Sequence, residues 1–123
     1  MTSRWGVEVD LVHAWLISLD QNSYEQVIAA LELLAERGPT LGRPLVDSVV
    51  GSQHKNMKEL RPGSSGRSEL RVLFAFDPDR RAILLVAGDK SGNWQNWYRS
   101  NIALADERLT VHLDRQKREG QRG

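Results

Sequence analysis

The apolar positions in the first half of the chain repeat first at strand spacing and then at helix spacing. Apolar and polar residues alternate over residues 5–9, which predicts a short strand with one apolar face. Two stripes at intervals of three and four residues follow, over residues 12–19 and 24–35, and each predicts an amphipathic helix. Asn22 and Glu25 have the spacing of a helix capping box. The two adjacent helices are therefore expected to form an α-hairpin.

The second half of the chain contains three candidate strands and one further helix. A strand is expected near residues 55–61, and the clearest alternation lies at residues 67–76. The continuous apolar run at residues 82–87 predicts a strand covered on both faces. Residues 91–99 are polar and tryptophan-rich and predict a loop, whereas the helical spacing of apolar residues over 102–113 predicts the last helix.

This order of elements, β-α-α-β-β-β-α, predicts an α+β fold. We expect a small mixed, mostly antiparallel sheet with an N-terminal α-hairpin and a C-terminal helix. The helices are expected to pack on one face, so that the other face, or a groove at its edge, stays free for a partner. A single domain is expected over residues 1–118, and the basic, glycine-containing residues 119–123 are expected to form a disordered tail.

The composition excludes several classes of chemistry. The 123 residues include no cysteine, so neither a disulfide nor a cysteine-ligated metal can form. The three histidines are far apart in sequence, which argues against a histidine metal site, and we expect neither a metal nor a cofactor. No apolar run approaches the roughly 20 residues of a membrane span, and the first residues lack the apolar core of a secretory signal. We therefore expect a cytoplasmic protein without a membrane partner.

Charge is unevenly distributed along the chain, although the formal net charge is only +1. Residues 1–53 hold three basic and seven acidic residues, whereas residues 54–123 hold fourteen basic and nine acidic residues. Five of the basic residues lie within 54–71, against two acidic ones. Such a local positive excess suits a polyanion such as RNA, and a solvated charged face is the alternative.

Four segments follow one another in an informative order and spacing. His54–Arg61 ends in Lys-Glu-Leu-Arg and precedes a Gly/Ser turn, after which Ser68–Phe76 places an arginine among apolar residues. Ile83–Lys90 is an apolar strand that ends in a lysine, and Ile102–Leu113 is a closing helix. Together these segments resemble the RelE/ParE superfamily of bacterial toxins, and in particular its HigB-like members. The resemblance covers nearly the whole chain.

This resemblance implies the toxin of a type II toxin–antitoxin system, a ribosome-dependent endoribonuclease that cleaves mRNA in the ribosomal A site. Such toxins need no metal or cofactor and use the ribose 2′-OH as an internal nucleophile. The protein must hold the in-line geometry, compensate charge on the phosphate and move protons. A cognate antitoxin neutralises these toxins, and in HigB systems it carries a helix-turn-helix DNA-binding domain.

Four residues are candidates for the catalytic chemistry. By resemblance, Arg71 matches the family's phosphate-stabilising strand arginine, and Lys90 matches its strand-end lysine. Arginine suits a phosphate because its planar fork donates hydrogen bonds in pairs. Tyr98 matches the family's late tyrosine, and His54, just before the basic strand, is the histidine candidate for proton transfer. The alternative for Arg71 is an ion pair with Glu69 or with an acid of a neighbouring strand.

A second group of residues is predicted to bind RNA. Their side chains are either basic or aromatic, and an aromatic ring can stack on an unpaired base. They are Lys55, Lys58, Arg61, Arg67, Trp97 and Arg99. The alternatives are a solvated basic face and a tryptophan that caps the core beneath the last helix. His112 is expected to be a packed or half-exposed residue of that helix, and the alternative is that this late histidine completes the site.

Two other functions are compatible with the same fold. ParE-type members of the superfamily act on DNA gyrase and do not cleave RNA, but they generally lack the phosphate-stabilising residues. A non-catalytic module, whose basic strand holds an acidic partner, is the third interpretation. The combination of Arg71, Lys90 and an aromatic-basic segment favours the nuclease.

Overall fold

The structure is a computed structural model that describes residues 4–63 and 66–122, with side chains up to residue 120. Ser64 and Ser65 of the Gly/Ser turn lie outside the described residues. Within these ranges the strands are β1 (Gly6–Glu8), β2 (Val46–Ser48), β3 (Lys58–Leu60), β4 (Leu70–Phe76) and β5 (Arg81–Asp89). The helices are α1 (His13–Ile17), α2 (Gln21–Arg37) and α3 (Trp94–Arg122), with short 3-10 turns at Asp10–Val12 and Gly38–Thr40.

The strands form a mixed sheet in the order β1-β5-β4-β3-β2. β1 runs parallel to β5, and the remaining pairs are antiparallel. β2 extends the sheet beyond the predicted strands, because Val46 pairs with Leu60 of β3. The predicted α+β class and the mostly antiparallel sheet are confirmed.

The α-hairpin covers one face of the sheet. The side chain of Asp20 begins α2, because its Oδ2 accepts a hydrogen bond from the Ser23 backbone N–H at 3.1 Å. The capping residue predicted at Asn22, in a capping box with Glu25, therefore lies two residues after the observed one, Asp20. The apolar stripe of α2 is buried against β4 and β5 in a cluster that includes Val27, Leu31, Leu34, Val72, Phe74 and Leu84.

The opposite face is covered by α3, so the expectation that all helices pack on one face was wrong. Ala105 and Leu109 of α3 are buried against Leu73, Ile83 and Leu85 of the two central strands. The physical reason is visible in β4, where neighbouring side chains point to opposite faces and most of them are apolar. A strand that is apolar on both faces needs a cover on each side.

α3 is longer than the predicted helix at both ends. It begins at Trp94, so the tryptophan-rich segment that was expected to be a loop is helical. The Asn93 side chain accepts a hydrogen bond from the Asn96 backbone N–H at 3.4 Å, which is the pattern of a helix N-cap. At the other end the helix continues to Arg122, into the residues expected to form a tail. None of the helices in the described ranges has both the length and the apolar character of a membrane span.

Candidate active site

The first turn of α3 lies over the end of the two central strands. Arg71 of β4 and Gly88 of β5 are paired in the sheet. The Trp97 indole packs directly on Gly88, and a Cβ atom at that position would lie 2.7 Å from Trp97 Nε1. Glycine at position 88 therefore allows α3 to approach the sheet closely enough to bring its aromatic residues beside Arg71.

Arg71 forms an ion pair with a buried acid of the neighbouring strand. Its Nε lies 2.9 Å from Oε1 of Glu59, whose side chain is 5% exposed, and its Nη1 donates a hydrogen bond to the Leu70 carbonyl at 2.7 Å. The Nε–H does not point at the carboxylate, so the contact between Arg71 and Glu59 is mainly one of charge. The structure thus contains the alternative partner expected for this arginine, an acid of the adjacent strand.

Tyr98 joins the same carboxylate from α3. Its hydroxyl donates a hydrogen bond of 2.5 Å to Oε1 of Glu59. Burial raises the pKa of Tyr98, and the hydrogen bond to Glu59 and the negative charge of Glu59 act in the same direction, so that the pKa is about 12. The rings of Trp97 and Trp94 meet the Tyr98 ring edge to face, with centroids 5.2 and 6.4 Å away. Tyr98 is consequently held in place, and its hydroxyl is neutral near neutral pH.

Lys90 follows β5 and approaches the same group. Its Nζ lies 5.9 Å from the centroid of the Tyr98 ring and 3.8 Å from Oε1 of Glu69, and its side chain is 17% exposed. The backbone N–H of Lys90 donates to the Glu69 carbonyl at 3.0 Å, which fixes the strand end. We call the group formed by these residues the sheet-end cluster: Glu59, Arg71, Lys90, Trp97 and Tyr98.

Arg61 borders the sheet-end cluster. Its Nε lies 3.5 Å from Oε1 of Glu59, and its Nη2 donates to Oδ2 of Asp47 at 3.3 Å. Its side chain is 37% exposed, so part of the guanidinium faces solvent. Of the predicted site residues, the structure therefore gathers the three catalytic candidates Arg71, Lys90 and Tyr98, with Trp97 and Arg61 beside them.

His54 does not belong to this cluster. Its Nε2 lies 2.9 Å from Oγ1 of Thr110, and its backbone N–H donates to Oγ of Ser52. Thr110 and Tyr98 are twelve residues apart on one helix, which corresponds to about 18 Å along the axis. The position of His54 therefore gives no support to the expectation that it transfers protons in the cleavage reaction.

The remaining basic candidates lie around the cluster or away from it. Lys55, Arg67 and Arg99 are exposed. Lys58 is half-buried, and it shares a face of β3 with Leu60, which packs on the α-hairpin side. Lys58 therefore lies on the opposite face of the sheet from Glu59.

His112 belongs to a second ionic cluster at the other end of the sheet. Its Nε2 lies 3.0 Å from Oδ2 of Asp77, whose side chain is completely buried. Burial alone would raise the pKa of Asp77, but the hydrogen bonds from His112 and from the Arg81 backbone, with the charge of Arg81, hold it below the ordinary value. The half-exposed position expected for His112 is confirmed.

Glu59 is the residue of the site that the sequence analysis missed. The available signal was a single acid inside a basic segment, at a position that shares its strand face with Met57, a buried residue of the core. An acid on the apolar face of a strand requires a partner, because an unpaired buried charge is costly. The described ranges contain no group of three or more acidic or histidine side chains arranged to hold a metal ion.

Comparison with known proteins identifies the family of the chain. Residues 14–110 match the family described as phage-derived protein Gp49-like (DUF891). The chain belongs to this family. As a Gp49-like protein, it is 60% identical over 109 residues to "Putative toxin HigB2" of Mycobacterium tuberculosis, which covers 89% of this chain and 54% of that protein. It is 52% identical over 97 residues to "Putative toxin HigB3" of the same organism, which covers 79% of this chain and 82% of that protein.

These relatives confirm the resemblance to HigB-like toxins. The Gp49-like chain spans about half the length of HigB2 and most of the length of HigB3. The residues that match the family include all five members of the sheet-end cluster, which lie between positions 59 and 98.

Proposed function

We propose that this Gp49-like chain is the toxin of a toxin–antitoxin pair and that it cleaves mRNA on the ribosome. The toxin names of the two relatives support the general function. The observation that supports cleavage is the convergence of Arg71, Lys90 and Tyr98 from β4, the end of β5 and the start of α3. Two cations and a phenol in one place are suited to the reaction of a phosphodiester.

The proposed reaction is an attack of the ribose 2′-OH on the adjacent phosphorus. The 2′-oxygen gives up its proton and forms a bond to phosphorus, while the bond from phosphorus to the 5′-oxygen breaks and the 5′-oxygen takes up a proton. The products are a 2′,3′-cyclic phosphate and a free 5′-hydroxyl. The nucleophile is already tethered to the substrate, so positioning supplies much of the rate. Negative charge on the phosphate oxygens would be compensated by Arg71 and Lys90.

Arg71 can bind a phosphate without leaving Glu59. A guanidinium carries five N–H groups. One of the Nη1 hydrogens is donated to Leu70, and Nε lies 2.9 Å from Oε1 of Glu59, so other N–H groups of the guanidinium are left for an RNA oxygen. The side chain is 16% exposed, which is enough for its tip to meet a ligand while its stem stays fixed.

The partners follow from this function. The RNA substrate is mRNA held by the ribosome, and a cognate antitoxin, with a helix-turn-helix domain as in HigB systems, would neutralise the toxin. The exposed Lys55, Arg67 and Arg99 are then available for phosphates of mRNA or ribosomal RNA. A ribosomal target places the active toxin in the cytoplasm.

The test is induction of the chain under tight control, followed by mapping of mRNA 5′ ends within minutes. Wild-type protein should produce cuts inside translated frames, and these cuts should disappear when translation is blocked. Arg71→Ala should abolish them while the protein remains folded. Arg43→Ala is the matched control, because Arg43 is 80% exposed and contacts Asp47 rather than the cluster.

Other outcomes would contradict the proposal. Growth arrest without cuts, but with signs of DNA damage, would indicate inhibition of DNA gyrase. Neither arrest nor cuts would indicate a non-catalytic binding module. Cuts that persist in Arg71→Ala at the wild-type rate would show that cleavage does not depend on the sheet-end cluster.

A further inference from the structure

Glu59 has an unusual position for an ionised side chain. It lies in the middle of β3, directly opposite Leu73 of β4, on the face that α3 covers. Its side chain is 5% exposed. An apolar residue would be expected at such a position if packing alone mattered, because replacing a buried ion pair by apolar side chains is often neutral or stabilising.

Three side chains, from α3, from β4 and from the residue after β3, converge on one oxygen of this carboxylate. The Tyr98 hydroxyl donates to Oε1 at 2.5 Å, and Nε of Arg71 and Nε of Arg61 lie 2.9 and 3.5 Å from the same atom. Because Tyr98 and Arg71 both contact Oε1 of Glu59, this atom fixes the position of the phenol relative to the guanidinium. All three groups are candidates for contact with RNA, and two of them, Arg71 and Tyr98, are candidates for the catalytic chemistry.

The hydrogen bond between Tyr98 and Glu59 also decides how Tyr98 meets a substrate. A tyrosine hydroxyl has one hydrogen to donate and can accept through its oxygen. Because the hydrogen is donated to Glu59, the Tyr98 oxygen can only accept further hydrogen bonds. It already meets the Arg71 guanidinium, and its remaining lone pair can accept from a donor such as a ribose 2′-OH. A hydroxyl that is held by an acceptor has a defined direction, and a defined direction is what an attack in line with the leaving oxygen requires.

We propose that Glu59 is a positioning residue for RNA cleavage: it fixes Arg71 and Tyr98 as one unit and presents the Tyr98 oxygen as an acceptor to the attacking 2′-OH. This inference rests on the proposed nuclease function. Glu59 itself touches no substrate in this account, and it acts through Tyr98 and Arg71. Loss of its charge should therefore slow the chemical step more than it weakens binding of the mRNA-programmed ribosome.

The experiment measures cleavage of a defined mRNA on purified translating ribosomes by wild type, Glu59→Gln, Tyr98→Phe and the double variant. Glu59→Gln keeps the side-chain size but removes the charge, and we expect kcat to fall roughly 100-fold with KM nearly unchanged. Because the two residues act as a unit, the double variant should lose little more than either single variant. Asp47→Asn is the matched control, since Asp47 contacts Arg61 and Arg43 but neither Tyr98 nor Arg71.

A second readout does not depend on cleavage. The chain has two tyrosines, so in a Tyr24→Phe background the tyrosinate absorbance follows Tyr98 alone. Glu59→Gln in that background should move the ionisation of Tyr98 to lower pH, whereas Asp47→Asn should leave it in place. Circular dichroism recorded in parallel shows whether the chain stays folded.

The outcomes separate the two proposals. If wild type cleaves and Glu59→Gln cleaves equally well, or if the losses of Glu59→Gln and Tyr98→Phe multiply, the positioning role is wrong and the nuclease function stands. If wild type does not cleave, the nuclease function is wrong, and the Tyr98 titration still tests the contact with Glu59. If Glu59→Gln does not fold, the Tyr98→Phe variant tests the positioning role instead. A kcat of Tyr98→Phe equal to that of wild type would overturn the role assigned to the Tyr98 oxygen.

Discussion

Replacement of Asp77 is expected to cause a large loss of stability. Its side chain is 0% exposed, and Oδ1 accepts the backbone N–H groups of Asp79 and Arg81 at 2.9 and 3.0 Å. Oδ2 accepts from Gln116 Nε2 at 2.8 Å and lies 3.0 Å from Nε2 of His112 and 3.2 Å from Nη2 of Arg81. Through these contacts one carboxylate joins the turn between β4 and β5 to the second half of α3.

The magnitude can be estimated for Asp77→Asn, which preserves the size of the side chain. The amide oxygen can keep the backbone contacts of Oδ1. The amide nitrogen then stands where Oδ2 stood, and its hydrogens meet the donor groups of Arg81 and Gln116, so that donors face donors. Removing one partner of a buried ion pair costs about 3–5 kcal/mol. The cost is lower here because Arg81 is 37% exposed, so water can hydrate its guanidinium once the carboxylate is gone. We therefore expect a loss of about 3 kcal/mol in the free energy of unfolding.

Urea denaturation followed by circular dichroism measures this loss. The midpoint should fall with an unchanged slope, and Tm should fall by roughly 10–15 °C. Asp79→Asn is the matched control, because it lies in the same turn, is 67% exposed and should change stability by less than about 0.5 kcal/mol. Equal losses in the two variants would refute the reasoning, since burial would then not be the cause.

The stability difference between wild type and Asp77→Asn should also depend on pH. Burial raises the pKa of Asp77, but the hydrogen bonds and the charge of Arg81 outweigh it, so the pKa is lower in the folded than in the unfolded chain. The carboxylate thus contributes its full stabilisation above the unfolded pKa of about 3.9, and the contribution is lost as the pH falls below that value. The difference in the free energy of unfolding between wild type and Asp77→Asn should be constant near neutral pH and should become smaller in the acid range. A difference that stays constant down to acid unfolding would contradict this linkage.

Three further perturbations test other parts of the structure. Gly88→Ala places a Cβ against the Trp97 indole and should displace the start of α3, which is measurable as a shift of tryptophan fluorescence and a loss of cleavage. Asp106→Asn weakens the contacts of its buried carboxylate with Ser52 Oγ and the Gln53 N–H, and should cost about 1–3 kcal/mol with faster hydrogen exchange in the segment before β3. Lys90→Met removes one cation from the cluster and should slow cleavage without lowering Tm, and unchanged cleavage would exclude Lys90 from the site.

Much of the fold could be predicted because long periodic segments specify their own structure. The alternation over β4 and the apolar run of β5 placed both central strands correctly, and the stripe of α2 placed its helix. The side of the sheet on which a helix packs was not predictable in the same way. It follows from the apolar residues on both faces of β4, which need a cover on each side, and the helix that supplies each cover is decided by contacts between segments far apart in the chain.

The site was predicted only in part, for a different reason. Arg71, Lys90 and Tyr98 were identified by resemblance, and the structure brings them together. Glu59 was missed because one acid among several basic residues looks like an ordinary surface charge until the neighbouring strands are placed. The start of α3 was missed because tryptophan and asparagine are weak helix formers, and the decisive signals were the cap at Asn93 and the contact of Trp97 with Gly88.

α3 connects the two ionic clusters, and this gives a way to separate stability from activity. Tyr98 and His112 lie on the same helix, fourteen residues or about 21 Å apart, so each cluster holds a different part of α3 against the sheet. Asp77→Asn loosens the far part and should lower Tm, while the cleavage rate per folded molecule stays at the wild-type value well below that Tm. Glu59→Gln should instead lower the cleavage rate per folded molecule, because it disturbs the reacting groups and leaves the Asp77 contacts intact. If Asp77→Asn lost cleavage in proportion to its loss of stability, α3 would move as one rigid unit and the sheet-end cluster would not be held independently.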